Sequence, residues 1–414
     1  MSELAGRGAA RAEDRATGDE GMRGPLSSRK RPEGGGLRIL QVTATGVGGS
    51  WFADQVTGLA QRGHTVHAVL PEPGPLADRL AAAGIGVDIV RFRGKRPEQL
   101  PRIAAAELQL VRLVREFRPD VIHAHLLKAI LACRLASAGY RPALRVTQVP
   151  GTVHLRVPVL RWLDRCTLRR DDVVIGSCRA IADRYRAMGA RSVAVSYYGC
   201  DVHAIDPAIP SAPFRREFGL AAATPAIGMI AHMYRSRLRA FRDIGVKGHE
   251  VFIDAAPLIR AQVPGAALFV IGDELAGDRG YRRELEQRAA ARGGGITFTG
   301  HRPDIASVLA GLDVVVSPSM EESACYAVVE ALLMGKGVVA SNVGGLPDTI
   351  RHGQTGLLVP PGDPAALAGA VTALVADPAL RTQMGHLGRT ECLHRFDIST
   401  TVHQVESVYL RALG

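Results

Sequence analysis

The chain has 414 residues, 47% of them apolar and 22% charged, with 51 Lys and Arg against 40 Asp and Glu for a net charge of +11. That length suits two domains of roughly 150–200 residues better than one core, and no apolar run reaches the ~18–20 residues a membrane span needs. The arginine-rich balance favours anionic partners such as nucleotides, phosphates or acidic lipid headgroups, while no nucleic-acid recognition motif accompanies it.

The polar N-terminus lacks the apolar stretch of a secretory signal, and its interleaved charges and glycines predict a disordered leader over residues 1–35. From residue 37, short β-rich runs alternate with amphipathic helical segments. Strands are expected at 37–43, 64–70, 85–90 and 120–125, with helices at 49–62, 75–83 and 103–117 between them. A proline-bearing stretch at 203–224 interrupts the rhythm. A second series then places strands at 226–232, 267–272, 295–299, 313–316 and 337–341, with helices at 248–262, 278–292, 303–310 and 325–335. This βα alternation predicts an α/β chain of two Rossmann-like, doubly wound parallel-sheet domains. Such halves are expected to face a central cleft where strand C-terminal ends and helix N-termini meet a ligand. The expected domains are residues 36–205 and 206–395, with a last helix at 396–414 returning to the first half.

Six cysteines (Cys133, Cys166, Cys178, Cys200, Cys325 and Cys392) are scattered without a C-x-x-C pair. That argues for reduced thiols in the cytoplasm and against a disulfide frame or zinc site. Gly48-Gly49, between the first strand and first helix, would let backbone amides approach an anionic ligand. The stretch lacks the third spaced glycine of a dinucleotide fingerprint. His123 and His125 close a strand and His154 follows the next one. Each could meet a sugar hydroxyl, or serve only as a structural histidine. No D-x-D pair is present to hold a divalent ion against a diphosphate. Lys247 stands just before a helix start, where a lysine makes sense if an anion lies between it and the positive helix end. Glu322 and Glu330 bracket the start of the helix at 325–335. One could sit beside the free amides of Ser323, Ala324 and Cys325, and the other could accept two hydrogen bonds from a vicinal diol. Helix-capping acids are the plain alternative, and a glycosidase pair fits poorly because both acids lie on one loop and helix.

From about residue 37 to 396 the chain resembles the retaining glycosyltransferases of family four, which have the GT-B fold. The resemblance runs through Gly48-Gly49, Asp120–His125, Thr152-Val153-His154, Lys247-Gly248, Gly272-Asp273, Ser317-Pro318-Ser319, the Glu322 to Glu330 element and Gly344-Gly345-Leu346-Pro347-Asp348. It implies that Glu330 holds the ribose of a nucleotide-sugar donor, and that Glu322 with the amides of 323–325 holds the sugar and distal phosphate. Lys247 would neutralise the diphosphate leaving group, His154 would contact the donor sugar, Gly48-Gly49 would border donor and acceptor, and His301-Arg302 would edge the base. Transfer in this family retains the anomeric configuration and is generally metal-independent, so no metal and no cofactor beyond the donor is expected.

Three departures stand out. Ala231-His232 replaces the usual Gly-Arg, with Arg235, Arg237 or Arg239 as substitutes for the missing phosphate cation. Ser323-Ala324-Cys325 replaces Gly-Phe-Gly, and Tyr198 stands for an asparagine. The expectation is a cytoplasmic enzyme, conceivably at the inner face of the membrane, that moves a sugar from a UDP-sugar to a lipid, glycan or natural-product hydroxyl. A nucleotide-sugar epimerase or hydrolase, or a weakly catalytic binding protein, is the alternative.

Overall fold

The computed structural model describes residues 35–46, 49–92, 100–137, 140–235, 245–275 and 280–414. The leader expected over 1–35, all but its last residue, lies outside them, as do Gly48, Arg237 and Arg239. The chain divides into two compact units, one of residues 1–200 with 397–414 and the other of residues 201–396.

The first unit is a seven-stranded sheet in the order β3-β2-β1-β4-β5-β6-β7, with every pairing parallel. Its central strands, β1 (Arg38–Thr43) and β4 (Val121–His125), are buried at every residue but Arg38 because both faces are covered by helices. Alternate residues feed opposite cores: Ile39 joins the cluster around Phe52, Leu59 and Val405, while Leu40 and Val42 join the one around Leu110, Ile130 and Tyr185. β5 (Leu144–Val149), β6 (Val173–Gly176) and β7 (Val193–Val195) extend one edge, and β2 (Thr65–Leu70) and β3 (Gly86–Ile89) the other.

The last helix, Ile398–Leu413, packs on the first unit. Asp397 caps it by accepting from the amides of Ser399 and Thr400. Its buried face, Val402, Val405, Val408, Tyr409 and Leu413, completes the first cluster. Glu406 fixes its register, accepting from Arg62 at 2.7 Å and bonding His64 at 2.9 Å.

The second unit is a six-stranded parallel sheet in the order β10-β9-β8-β11-β12-β13. The strands are β8 (Ala226–Ile230), β9 (Ala267–Ile271), β10 (Ile296–Gly300), β11 (Val314–Ser317), β12 (Gly337–Ser341) and β13 (Leu357–Val359). Both sheets reverse strand order beside their first strand, the doubly wound pattern of a Rossmann-like fold. The α/β class of two Rossmann-like parallel-sheet halves expected from the βα rhythm is the one adopted.

Candidate functional site: a lysine–glutamate pair and an unpartnered carboxyl

In the second unit, the loop after β11 is docked onto the turn before the helix His249–Gln262. Met320 donates its amide to the carbonyl of Val246 at 2.8 Å. Two glycines permit the close approach. Gly248 has φ 72°, and a Cβ there would lie 1.9 Å from the carbonyl oxygen of Pro318. Gly344 has φ 55°, and a Cβ there would lie 1.6 Å from that of Glu322. Only glycine tolerates both the left-handed backbone and the contact.

This docking brings Lys247 and Glu322 together across 75 residues of sequence. Lys247 Nζ donates to Glu322 Oε2 at 2.5 Å, and both side chains are largely buried. Glu322 also accepts from Ser319 Oγ at 3.4 Å and from the Ser323 amide at 3.2 Å. Burial alone would lower the Lys247 pKa, but the Glu322 carboxylate outweighs it and holds the ammonium charged. Beneath the turn, Glu250 accepts from the Gly245 amide at 3.0 Å and from Tyr281 Oη at 2.5 Å, so a buried acid braces the segment carrying Lys247. His249 is fully buried, and burial together with Lys247 drives its pKa down to about 3, which keeps the imidazole neutral.

The helix Tyr326–Leu333 starts at Cys325, whose side chain makes no capping bond. Burial pushes the Cys325 thiol up to about 11, so it remains protonated 3.5 Å from Ser317 Oγ. Glu330 lies inside this helix, half-buried, and its carboxyl makes no hydrogen bond or ion pair among the described residues. Burial raises its pKa to about 7. A half-buried carboxyl without a protein partner is an acceptor available to a donor.

Arg235 and Arg302, also expected at the site, have partners outside this pair. Arg235 pairs with Glu284 and lies over the Tyr281 ring at 5.2 Å. Arg302 grips Glu217 and Asp304, each through two bonds of 2.5–2.8 Å, and His301 beside it is exposed. Ser323 and Ala324 are half-buried in the loop that carries Glu322. Tyr234, not singled out in the sequence, shares the electrostatic surroundings of Lys247 and Glu322: burial and Glu322 raise its pKa against the pull of Lys247.

In the first unit, Gly49 is buried and its carbonyl accepts the first amides of the helix Ser50–Gln61, from Phe52 and Ala53. His154 sits in a 3₁₀ turn, Val153–Arg156. Its Nε2 lies 3.1 Å from Asp164 Oδ2 and 3.1 Å from Tyr185 Oη. Asp164 is fully buried and takes the Arg134 guanidinium at 2.8 Å, which in turn clasps Asp171 at 2.5 Å. Burial works to raise the Asp164 pKa, but bonds from His154, Arg134 and Tyr185 bring it below the usual value. An ionised Asp164 makes Nε2 the donor, and in a neutral ring this leaves Nδ1, unbonded among the described residues, as an acceptor.

His123 and His125 do not face a ligand. Both are fully buried in a network with Gln41, Tyr198 and Tyr409: His123 Nδ1 lies 2.6 Å from Tyr409 Oη, and His125 Nε2 is 2.8 Å from Gln41 Oε1. Burial lowers both pKa values, that of His123 to about 3. They are core residues, and His123 ties the last helix to the sheet through Tyr409. Tyr198, standing for the expected asparagine, packs on Trp51 with ring centroids 4.3 Å apart.

Comparison with known proteins adds the family. The description "Glycosyl transferase 4-like domain" matches residues 48–199, and "Glycosyl transferases group 1" matches residues 236–377. The D-inositol 3-phosphate glycosyltransferase of Pseudarthrobacter chlorophenolicus is 31% identical over 321 residues, 70% of this chain and 71% of that protein. The chain belongs to the group 1 glycosyltransferases. This glycosyltransferase is also similar to the 2-deoxystreptamine N-acetyl-D-glucosaminyltransferase of Streptomyces fradiae, at 28% identity over 75% of this chain and 76% of that one. Among solved structures, Anabaena HepE in complex with UDP superposes with a TM-score of 0.77 at 23% identity, covering 90% of this chain and 99% of that one. The lipopolysaccharide outer core galactosyltransferase WaaB gives 0.69 at 13%, covering 90% and 99%. The shared fold is GT-B.

Proposed function

We propose that this glycosyltransferase moves a sugar, with retention of anomeric configuration and without a metal, from a nucleoside-diphosphate sugar to an acceptor hydroxyl, with UDP the favoured nucleotide. The observation that carries the donor assignment is the coexistence in one unit of the buried Lys247–Glu322 pair and the unpartnered Glu330 carboxyl. Glu330 accepts the two hydroxyls of a ribose. Lys247, the one cation in contact with Glu322 among the described residues, exchanges part of that contact for the incoming diphosphate. Glu322 then accepts a sugar hydroxyl. The HepE structure with UDP-glucose supports a UDP-linked donor as a property of a protein of the same fold.

In the transfer, the bond from the anomeric carbon to the diphosphate oxygen breaks and a bond to the acceptor oxygen forms. The nucleoside diphosphate leaves with the negative charge, and the acceptor's proton ends on that leaving group or in solvent. The charge that develops on the leaving oxygen is stabilised by Lys247, whose ammonium is already fixed. His154, oriented by Asp164 and Tyr185, offers Nδ1 to a sugar hydroxyl. No disulfide joins the six cysteines, which supports a reducing compartment such as the cytoplasm.

The test is a panel of nucleotide sugars scored by nucleoside-diphosphate release, with mass spectrometry of candidate acceptors including inositol phosphates and aminocyclitols. Acceptor-dependent release and a glycosylated product are expected. Release indifferent to every acceptor would make the protein a hydrolase or epimerase, and binding without turnover would make it a binding protein. Lys247→Ala should lower kcat about 10²-fold; a near-normal kcat would place the diphosphate elsewhere.

A further inference from the structure

The helix Pro158–Thr167 is built the wrong way round for a surface helix. Its buried position is a charge, Asp164, while Val159 and Trp162 are 62% and 60% exposed. Val153, in the turn before it, is 48% exposed. At helical spacing Val159, Trp162 and Cys166 form one strip, and Arg161 and Arg165 flank it on the outward side. Leu160 and Leu163 are half-buried and turn toward the body of the unit.

The inversion has a structural cause. Asp164 faces inward to meet Arg134 at 2.8 Å, and Thr167 faces the same way to accept from Arg134, also at 2.8 Å. With much of its inner face committed to an ion pair, the helix leaves Trp162 and Val159 on the outside. An outward tryptophan beside two valines costs solvation and marks an interaction surface more often than an accident.

The charges say what kind of surface. Between residues 153 and 170 stand Arg156, Arg161, Arg165, Arg169 and Arg170, against the single acid Asp164, which is spent internally. Arg161, Arg165 and Arg169 are exposed and make no ion pair among the described residues. Elsewhere the chain's arginines are commonly paired: Arg62 with Glu406, Arg79 with Asp54, Arg288 with Asp254, Arg302 with Glu217. Here Arg161, Arg165 and Arg169 stand beside an aromatic group without an ion pair among the described residues.

We propose that the outward face of this helix docks on an anionic lipid bilayer, with Trp162 and Val159 seated at the headgroup level and Arg161, Arg165 and Arg169 on lipid phosphates. Tryptophan's amphipathic ring favours that interface, and arginines near an anionic surface each contribute on the order of 1 kcal/mol. A folded protein partner burying the same arginines would have to supply a matched carboxylate for each, whereas a lipid surface supplies phosphates in any register. Among the described residues no helix is long and apolar enough to cross a membrane, so the contact is peripheral. The His154 turn directly precedes this helix, which would bring a membrane-held acceptor to the same part of the first unit. The docking itself stands independently of the donor assignment.

The experiment is cosedimentation of the full chain with vesicles of equal parts phosphatidylcholine and phosphatidylglycerol, beside vesicles of phosphatidylcholine alone. The wild type should bind the anionic vesicles, release in high salt and ignore the neutral ones. The double variant Arg161→Glu/Arg165→Glu and the single variant Trp162→Ala should each lower the partition at least about tenfold. Their thermal unfolding and UDP affinity should match wild type, which separates loss of docking from loss of fold. A blue shift of tryptophan fluorescence on vesicles should vanish in Trp162→Phe, which leaves only Trp51. Failure of the wild type to bind, or unchanged binding by the double variant, overturns the proposal. So does self-association or duplex-DNA binding that depends on these residues while vesicles stay unbound.

Discussion

Glu330 is where local chemistry is most exposed to test. Its raised pKa means that the folded protein holds this proton more tightly than the unfolded chain does. The group's contribution to stability is therefore fully present below the ordinary value of 4.5 and is lost as pH rises through about 7. Above that pH an ionised, unpartnered carboxylate destabilises the free protein by up to about 3 kcal/mol. Glu330→Gln should accordingly unfold at a higher temperature than wild type near pH 8, with the gap closing toward about pH 5; equal melting curves at both pH values would show that the carboxyl is already satisfied. The same ionisation governs binding. Only the carboxylate accepts from both ribose hydroxyls, so nucleotide affinity of the wild type should weaken as pH falls below about 7, and the glutamine variant should lose that dependence.

At the scale of elements, the glycines decide whether the site exists. Gly344→Ala combines a left-handed backbone with a collision against the Glu322 carbonyl, so it should cost about 2 kcal/mol or more and weaken donor binding by moving Glu322. A variant with wild-type melting and wild-type affinity would show that the loop relaxes freely. Many of the elements were legible in the sequence because buried parallel strands are apolar runs, such as Val314–Val316 and Gly337–Ala340 between helical patterns, whereas β5, β6, β7 and β13 were not read from it. Glu322 and Glu330 were legible as singular acids at a helix start. The Lys247–Glu322 pair was not, since 75 residues separate its members and only the docking of two loops joins them. The strand-end histidines were readable either way, as sugar contacts or as structural residues: they sit where ligands usually bind, but both are buried in a network with Gln41, and the returning last helix supplies Tyr409 as a partner of His123. The Arg134–Asp164–Asp171 network left a faint trace, one arginine in the apolar segment Leu127–Ala136, whose meaning appears only when its two carboxylates arrive from elsewhere.

For the molecule as a whole, the chain's course matters more than any one residue. The second unit is a single continuous segment, whereas the first borrows its last helix from the far end of the chain. A chain ending at Phe396 would strip the first unit of the large buried side chains of Val402, Val405, Val408, Tyr409 and Leu413, besides Ala412. At about 1.5–3 kcal/mol each, that loss rivals the entire stability of an ordinary domain. Such a truncation should leave the first unit unfolded while the second still melts cooperatively; two intact transitions by calorimetry would contradict that dependence.

The central claim, that Lys247, Glu322 and Glu330 together form a nucleotide-sugar site, is tested most directly by calorimetric titration of UDP, GDP and dTDP into the full chain and its Glu330→Ala variant near pH 8. Losing hydrogen bonds to a charged group costs about 1.5–3 kcal/mol, so the preferred nucleotide should bind the variant at least about tenfold more weakly. Affinity unchanged for all three nucleotides would contradict the assignment of Glu330 to the ribose.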